Sequence, residues 1–182
     1  MNKETFLEKV IAEINSSIKF VEAKNAALIT LNSALIAWGA GIVFDIENIR
    51  FHRIIVAFSV LALSIPMIVA IISFCPVIKG NNEKVKAQAQ KKLALSSPKR
   101  LMYYAYIAAN YANDVDSYLT ELKDMDSSKN NTAETALGHQ AVDLAIVAFR
   151  KSRFFNIAVL IESIIFCFGG TITLAFLVFK LF

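Results

Sequence analysis

The chain has 182 residues and a formal net charge of +4, with 56 % hydrophobic residues and a mean hydropathy of +0.52. That is one domain's worth of chain and too apolar for an ordinary soluble domain, so membrane residence is the first inference. Cys75 and Cys167 each sit in an apolar run rather than a ligand cluster, which argues against a disulfide framework or a cysteine metal site.

The opening segment is charged and amphipathic, without an early apolar core or a small-residue cleavage site, so no signal peptide is expected. From Lys3 to Ala23, Leu7, Ile11, Ile14, Ile18 and Val21 recur at helical spacing, widened by Phe6 and Val10. Lys3, Glu4, Lys9, Glu13 and Lys19 are expected off that stripe. The pattern predicts an N-terminal amphipathic helix over residues 1–25, packed against other helices. A helix lying on lipid is the competing reading, but its polar face would be richer in Lys and Arg.

No breaker separates this helix from residues 26–44, the first expected span. Ser33, Ala37 and Gly41, four apart, offer a groove for close approach by another transmembrane helix. A short polar loop, 45–53, leads to a second expected span over 54–78. Pro66 lies within it and Pro76 marks its expected end. His52 stands alone and receives no ligand role.

Composition then changes abruptly. The segment 79–153 carries twelve of the nineteen basic residues. After the Ser96-Ser97-Pro98 break, Leu101, Ala105, Ala108, Ala112, Val115, Leu119 and Leu122 keep a four–three alternation, which predicts one helix from Lys99 to about Met125. Tyr104, Tyr111, Tyr118 and Met125 form a second stripe seven apart. A polar turn over 126–131 precedes a helix with Thr132 as a candidate N-cap. Leu137, Ala141, Leu144 and Ala148 give that helix an apolar face. It runs through the basic cuff Arg150-Lys151-Ser152-Arg153 into a third expected span, 154–180.

Counting Lys and Arg gives four in residues 1–25, two in the 45–53 loop, twelve in 79–153 and Lys180 at the end. The positive-inside rule then places the N-terminus and the 79–153 segment in the cytosol. The expected architecture is all-α: a multi-pass inner-membrane protein with three transmembrane helices and a cytosolic helical bundle. The small-residue face calls for a homo-oligomer, because three helices are too few to enclose a wide pore.

Residues with catalytic potential are sparse. There is no phosphate loop, paired Cys/His set, nucleophile motif or cofactor motif. His139 and Asp143 share a helix face but lack a third ligand nearby, so a surface hydrogen-bonded pair is expected rather than a metal site. Asp114 and Asp116 are two apart and do not share a face. No enzyme is expected.

Two clusters remain. Glu162, an ionisable group inside the third span, reads either as a pore-lining or gating residue, with Asn32, or as a carboxyl hydrogen-bonded to Asn32 or Ser33 or protonated. Lys24, Lys99, Arg100, Arg150, Lys151 and Arg153, next to Tyr103, Tyr104 and Tyr106, read either as a cytosolic anion site with aromatic faces or as contacts to lipid headgroups. Nucleic acid is not expected as a partner, because no extended basic face exists beyond the cuff.

Three stretches carry a family likeness. The approach to the first span, VEAKNAALITLNSALI, resembles that of the bacterial Pycsar transmembrane effectors, with an acidic residue, Lys24 and Asn25 in order. LMYYAYIAANYANDVDSYLTEL resembles their aromatic-then-Asp-then-Tyr-Leu segment, and HQAVDLAIVAFRKSRFFNIA their helix through a basic pair into the last span. The resemblance implies an anti-phage effector that binds a cyclic pyrimidine mononucleotide, cyclic CMP or cyclic UMP, on its cytosolic helices and disrupts the lipid bilayer. The nucleotide-binding candidates are then Lys24, Arg100, Tyr104, Arg150 and Lys151, and the membrane candidates Glu162 and Asn32. A non-catalytic scaffold that docks a partner through its heptad faces, or a small ion channel, are the rival readings.

Overall fold

The structure is a computed structural model, and it describes residues 2–45, 50–75, 82–93, 103–122 and 132–181. Every regular element among these is helical: α1 (Lys3–Asp45), α2 (Arg50–Ile72), α3 (Asn82–Leu93), α4 (Tyr104–Tyr111), α5 (Val115–Glu121) and α6 (Thr132–Leu181). The expected all-α class holds. The chain divides into two compact units, one of residues 1–22 and 76–152, the other of residues 23–75 and 153–182.

The first unit is a helical bundle with one apolar core. Phe6, Leu7, Val10 and Ile14 of α1 meet Val85 and Ala89 of α3, Ile107 and Ala108 of α4, Leu119 of α5, and Val142, Ala145 and Phe149 of α6. Each large side chain fully buried this way contributes roughly 1.5–3 kcal/mol. Val21 is buried, and Ile11 and Ile18 are half-buried against the core, so the α1 stripe is used as its spacing predicts. Lys3 departs from expectation: it is fully buried. It stands four residues before Leu7 and therefore lies on the same helix face, not the solvated one.

Two further differences concern the segment 79–125. α3 forms where the sequence suggests only a basic segment, and it packs on α4. The single helix expected from Lys99 to Met125 is two helices. Asp114 breaks it with non-helical backbone (φ −148°, ψ 76°) and caps α5, its Oδ1 accepting the Ser117 N–H at 3.0 Å. An Asp side chain that serves a new helix N-terminus outcompetes continuation of the old one. Residues 99–102 and 123–125 of the expected helix lie outside the described residues. Thr132 is already the first helical residue of α6 rather than its cap.

Gly138 permits the closest approach in this unit. A Cβ there would stand 2.8 Å from Leu119 Cδ2, so α6 meets α5 with no room for a methyl group.

The second unit has an inverted distribution of polarity. Trp38, Phe58, Leu61, Leu160 and Phe168 are among its exposed large apolar side chains, between 62 % and 74 % accessible. Its buried residues include Asn25, Asn32, Ser73 and Glu162 beside the small Ala70 and Ala158. Water selects against such a surface and lipid selects for it. Among the described residues one helix is long and apolar enough to cross a membrane, Thr132–Gly169, with Ala57–Ile72 a shorter apolar helix. α2 ends at Ile72, before Pro76, in a turn over Ser73–Cys75, and Pro66 stays inside the helix.

Candidate functional site

The basic candidates are distributed over several elements. Arg150 and Lys151 project from α6 in the first unit, each half-buried. Lys151 Nζ donates to Glu22 Oε1 in an ion pair between α6 and α1. The partner of Lys151 is therefore a residue to which the sequence assigns no role in the site, although Glu22 lies in the resemblance segment. Tyr104, half-buried on α4, stacks at a tilt on Tyr103 with ring centroids 4.9 Å apart. No hydrogen bond, ion pair or ring contact joins Tyr104 to Arg150 or Lys151 among the described residues. Arg100 lies outside the described residues. Lys24 belongs to the second unit, where its ammonium stands over the Phe155 ring at 5.5 Å.

Next to Tyr104, a tyrosine cluster stiffens the α4–α5 corner. Tyr111 packs on Tyr118 at 5.1 Å and edge-on to Tyr106 at 6.2 Å. The Tyr111 hydroxyl donates to Glu121 Oε2. Burial, and then the hydrogen bond to Glu121, push the Tyr111 hydroxyl well above its ordinary value of 10.0, and burial raises that of Tyr118. Asp114, fully exposed, is held below its ordinary value by the Ser117 hydroxyl and N–H.

The polar residues of the membrane-type unit are brought together in part. Asn25 Nδ2 donates to Ser73 Oγ at 2.8 Å, joining α1 to the turn after α2. Ser33 Oγ reaches Met67 Sδ at 3.6 Å. The Asn32 amide lies within interaction range of the Glu162 carboxyl. Yet neither Asn32 amide atom nor Glu162 Oε1 completes a hydrogen bond, and Asn25 Oδ1 is likewise without one. Asn25 and Ser73 are absent from the sequence-derived site. The heptad interval between Asn25 and Asn32 is the signal that places both on one helix face. Ala37 and Gly41 of the small-residue stripe are exposed, and a Cβ on Gly41 would meet nothing within 4 Å.

No cluster of three or more metal-ligating side chains occurs among the described residues. No curated protein and no solved structure matches the chain. Residues 6–181 match the Pycsar effector protein domain. With nearly its whole length in that match, the chain belongs to the Pycsar effector family, anti-phage effectors associated with the membrane.

Proposed function

We propose that the chain is a membrane effector of bacterial antiviral defence that binds a cyclic pyrimidine mononucleotide on its cytosolic helices and then disrupts the inner membrane. The family match over residues 6–181 is the observation that carries this reading. The reading has three spans, over 26–44, 54–78 and 154–180, with the N-terminus and the 79–153 segment cytosolic and the protein a homo-oligomer. The apolar exterior and polar interior of the second unit support residence in lipid. Exposed Ala37 and Gly41 leave a close-packing face available to a second copy.

Lys24, Arg100, Tyr104, Arg150 and Lys151 take the nucleotide. Cations meet the cyclic phosphate and the tyrosine face meets the base. Glu162 and Asn32 serve the membrane part. The candidate cations and the apolar stretches share helices, since α1 carries Lys24 ahead of 26–44 and α6 carries Arg150 and Lys151 ahead of 154–180. Ligand that binds one packing of these helices better than another shifts the population toward it.

Thermal shift on detergent-purified protein tests the ligand. Cyclic CMP or cyclic UMP raises the melting temperature while cyclic AMP does not, and Arg150→Ala or Lys24→Ala abolishes the rise. Folded, helical protein that responds to none of the three refutes the nucleotide reading.

A further inference from the structure

Across residues 26–44, 54–78 and 154–179, Glu162 is the sole Asp, Glu, Lys, Arg or His. It stands eight residues past Phe154, about 12 Å of helix rise. It does not point to the apolar exterior. Glu162 is only 5 % exposed and Asn32, on α1, is fully buried.

The buried polar atoms there are mostly acceptors. Glu162 Oε1 and Asn32 Oδ1 have no hydrogen-bond donor, and Asn32 Nδ2 has no acceptor. Two turns earlier on the same face of α1, Asn25 Oδ1 is also without a donor, although Asn25 Nδ2 is held by Ser73. Native interiors satisfy their polar groups, and the unpartnered Glu162 and Asn32 oxygens inside apolar stretches mark a place for something that is not protein. At Glu162 and Asn32, a carboxylate oxygen and an amide oxygen against a single amide NH2 group suit a cation and repel an anion. With no basic side chain in the apolar stretches, nothing offsets that sign.

We infer that Glu162 and Asn32 form a cation-selecting site, which takes a small monovalent cation on Glu162 Oε1 and Asn32 Oδ1 when the membrane part opens. The inference rests on the membrane-disrupting reading above and specifies what passes: K+ and Na+ ahead of Cl−. Carboxylates and carbonyl-type oxygens replace the hydration shell of a small cation and set the charge preference of a path through lipid.

The test uses the full chain in vesicles of phosphatidylethanolamine and phosphatidylglycerol, bearing a KCl gradient, with cyclic CMP or cyclic UMP added. The reversal potential gives the ratio of K+ to Cl− permeability. Wild type passes K+ several-fold better than Cl−. Glu162→Gln, which keeps the side-chain volume, loses that preference, and Glu162→Asp keeps it. Asn32→Leu, with the carboxylate still present, lowers it. Equal K+ and Cl− permeability in wild type, or an unchanged ratio in Glu162→Gln, overturns the cation site and leaves the effector reading standing. An absence of flux of either ion with either nucleotide overturns the membrane-disrupting reading, and the site with it.

Discussion

Lys151 of α6 is ion-paired with Glu22 of α1. The pair is partly open to solvent, with side-chain accessibilities of 14 % and 37 %, so its own contribution to stability is at most about 1 kcal/mol. Its importance is competitive. An anionic ligand that uses Lys151 must draw that ammonium away from a carboxylate already holding it. Glu22→Gln therefore tightens cyclic-nucleotide binding by roughly two- to fivefold, the equivalent of losing such a pair. Isothermal titration of wild type and variant measures this. Unchanged or weaker affinity in Glu22→Gln shows that Lys151 is not part of the ligand site.

Tyr111 gives the first unit an alkaline limit. Its hydroxyl is held protonated in the fold well above its ordinary value of 10.0. Above pH 10 the unfolded chain releases a proton that the folded chain retains, so stability is fully present below 10 and falls as pH rises beyond it. Tyr118 acts in the same direction. Tyr111→Phe removes the donor to Glu121 and costs about 1–2 kcal/mol at neutral pH, while flattening the alkaline decline. Denaturant titrations across the alkaline range measure both effects.

Asp114 gives α5 the opposite dependence. The folded-state value lies below 3.8, so the cap's contribution is present above that value and is lost as pH falls through the lower, folded one. Asp114→Ala lowers the melting temperature at neutral pH. Asp114→Asn caps nearly as well and removes this acid sensitivity. Melting temperatures at neutral and acid pH distinguish the three proteins.

Gly138 tests the α5–α6 contact. Alanine there gains about 0.5–1 kcal/mol of helix propensity against glycine, which is offset by the displacement of Leu119, itself only 1 % exposed. Gly138→Leu has no such balance and destabilises by roughly 1–3 kcal/mol. Chemical denaturation of the two variants ranks them. Equal stability would mean that α5 and α6 do not meet at Leu119.

The sequence reports long periodicity well and local interruptions poorly. The α1 stripe through Leu7, Val10 and Ile14 is legible because a buried helix face must repeat every three or four residues. The same rule conceals the break at Asp114: Ala112 and Val115 keep their spacing of three across it, so the pattern continues while the helix does not. The Asn113-Asp114 pair, with Ser117 three residues on, is the local signal. α3 escapes because its apolar face consists of Val85 and Ala89 among lysines and glutamines. In the membrane candidates, Glu162 is visible as a lone charge in an apolar run. Its proximity to Asn32 depends on how α1 and α6 pack, which no single-helix pattern encodes. The basic candidates are legible by charge and position, but a cation's partner is a tertiary fact: Lys151 pairs with Glu22, which lies 129 residues away in sequence.

In the proposed function, a cyclic pyrimidine nucleotide turns this protein against the membrane. The most direct measurement is release of an encapsulated ion or dye from vesicles carrying the full chain, followed as cyclic CMP, cyclic UMP or cyclic AMP is added. The expected result is release with one of the pyrimidine nucleotides, little with cyclic AMP, and loss of the response in Arg150→Ala. Release that is the same with and without nucleotide, or no release from vesicles that contain folded protein, would contradict it.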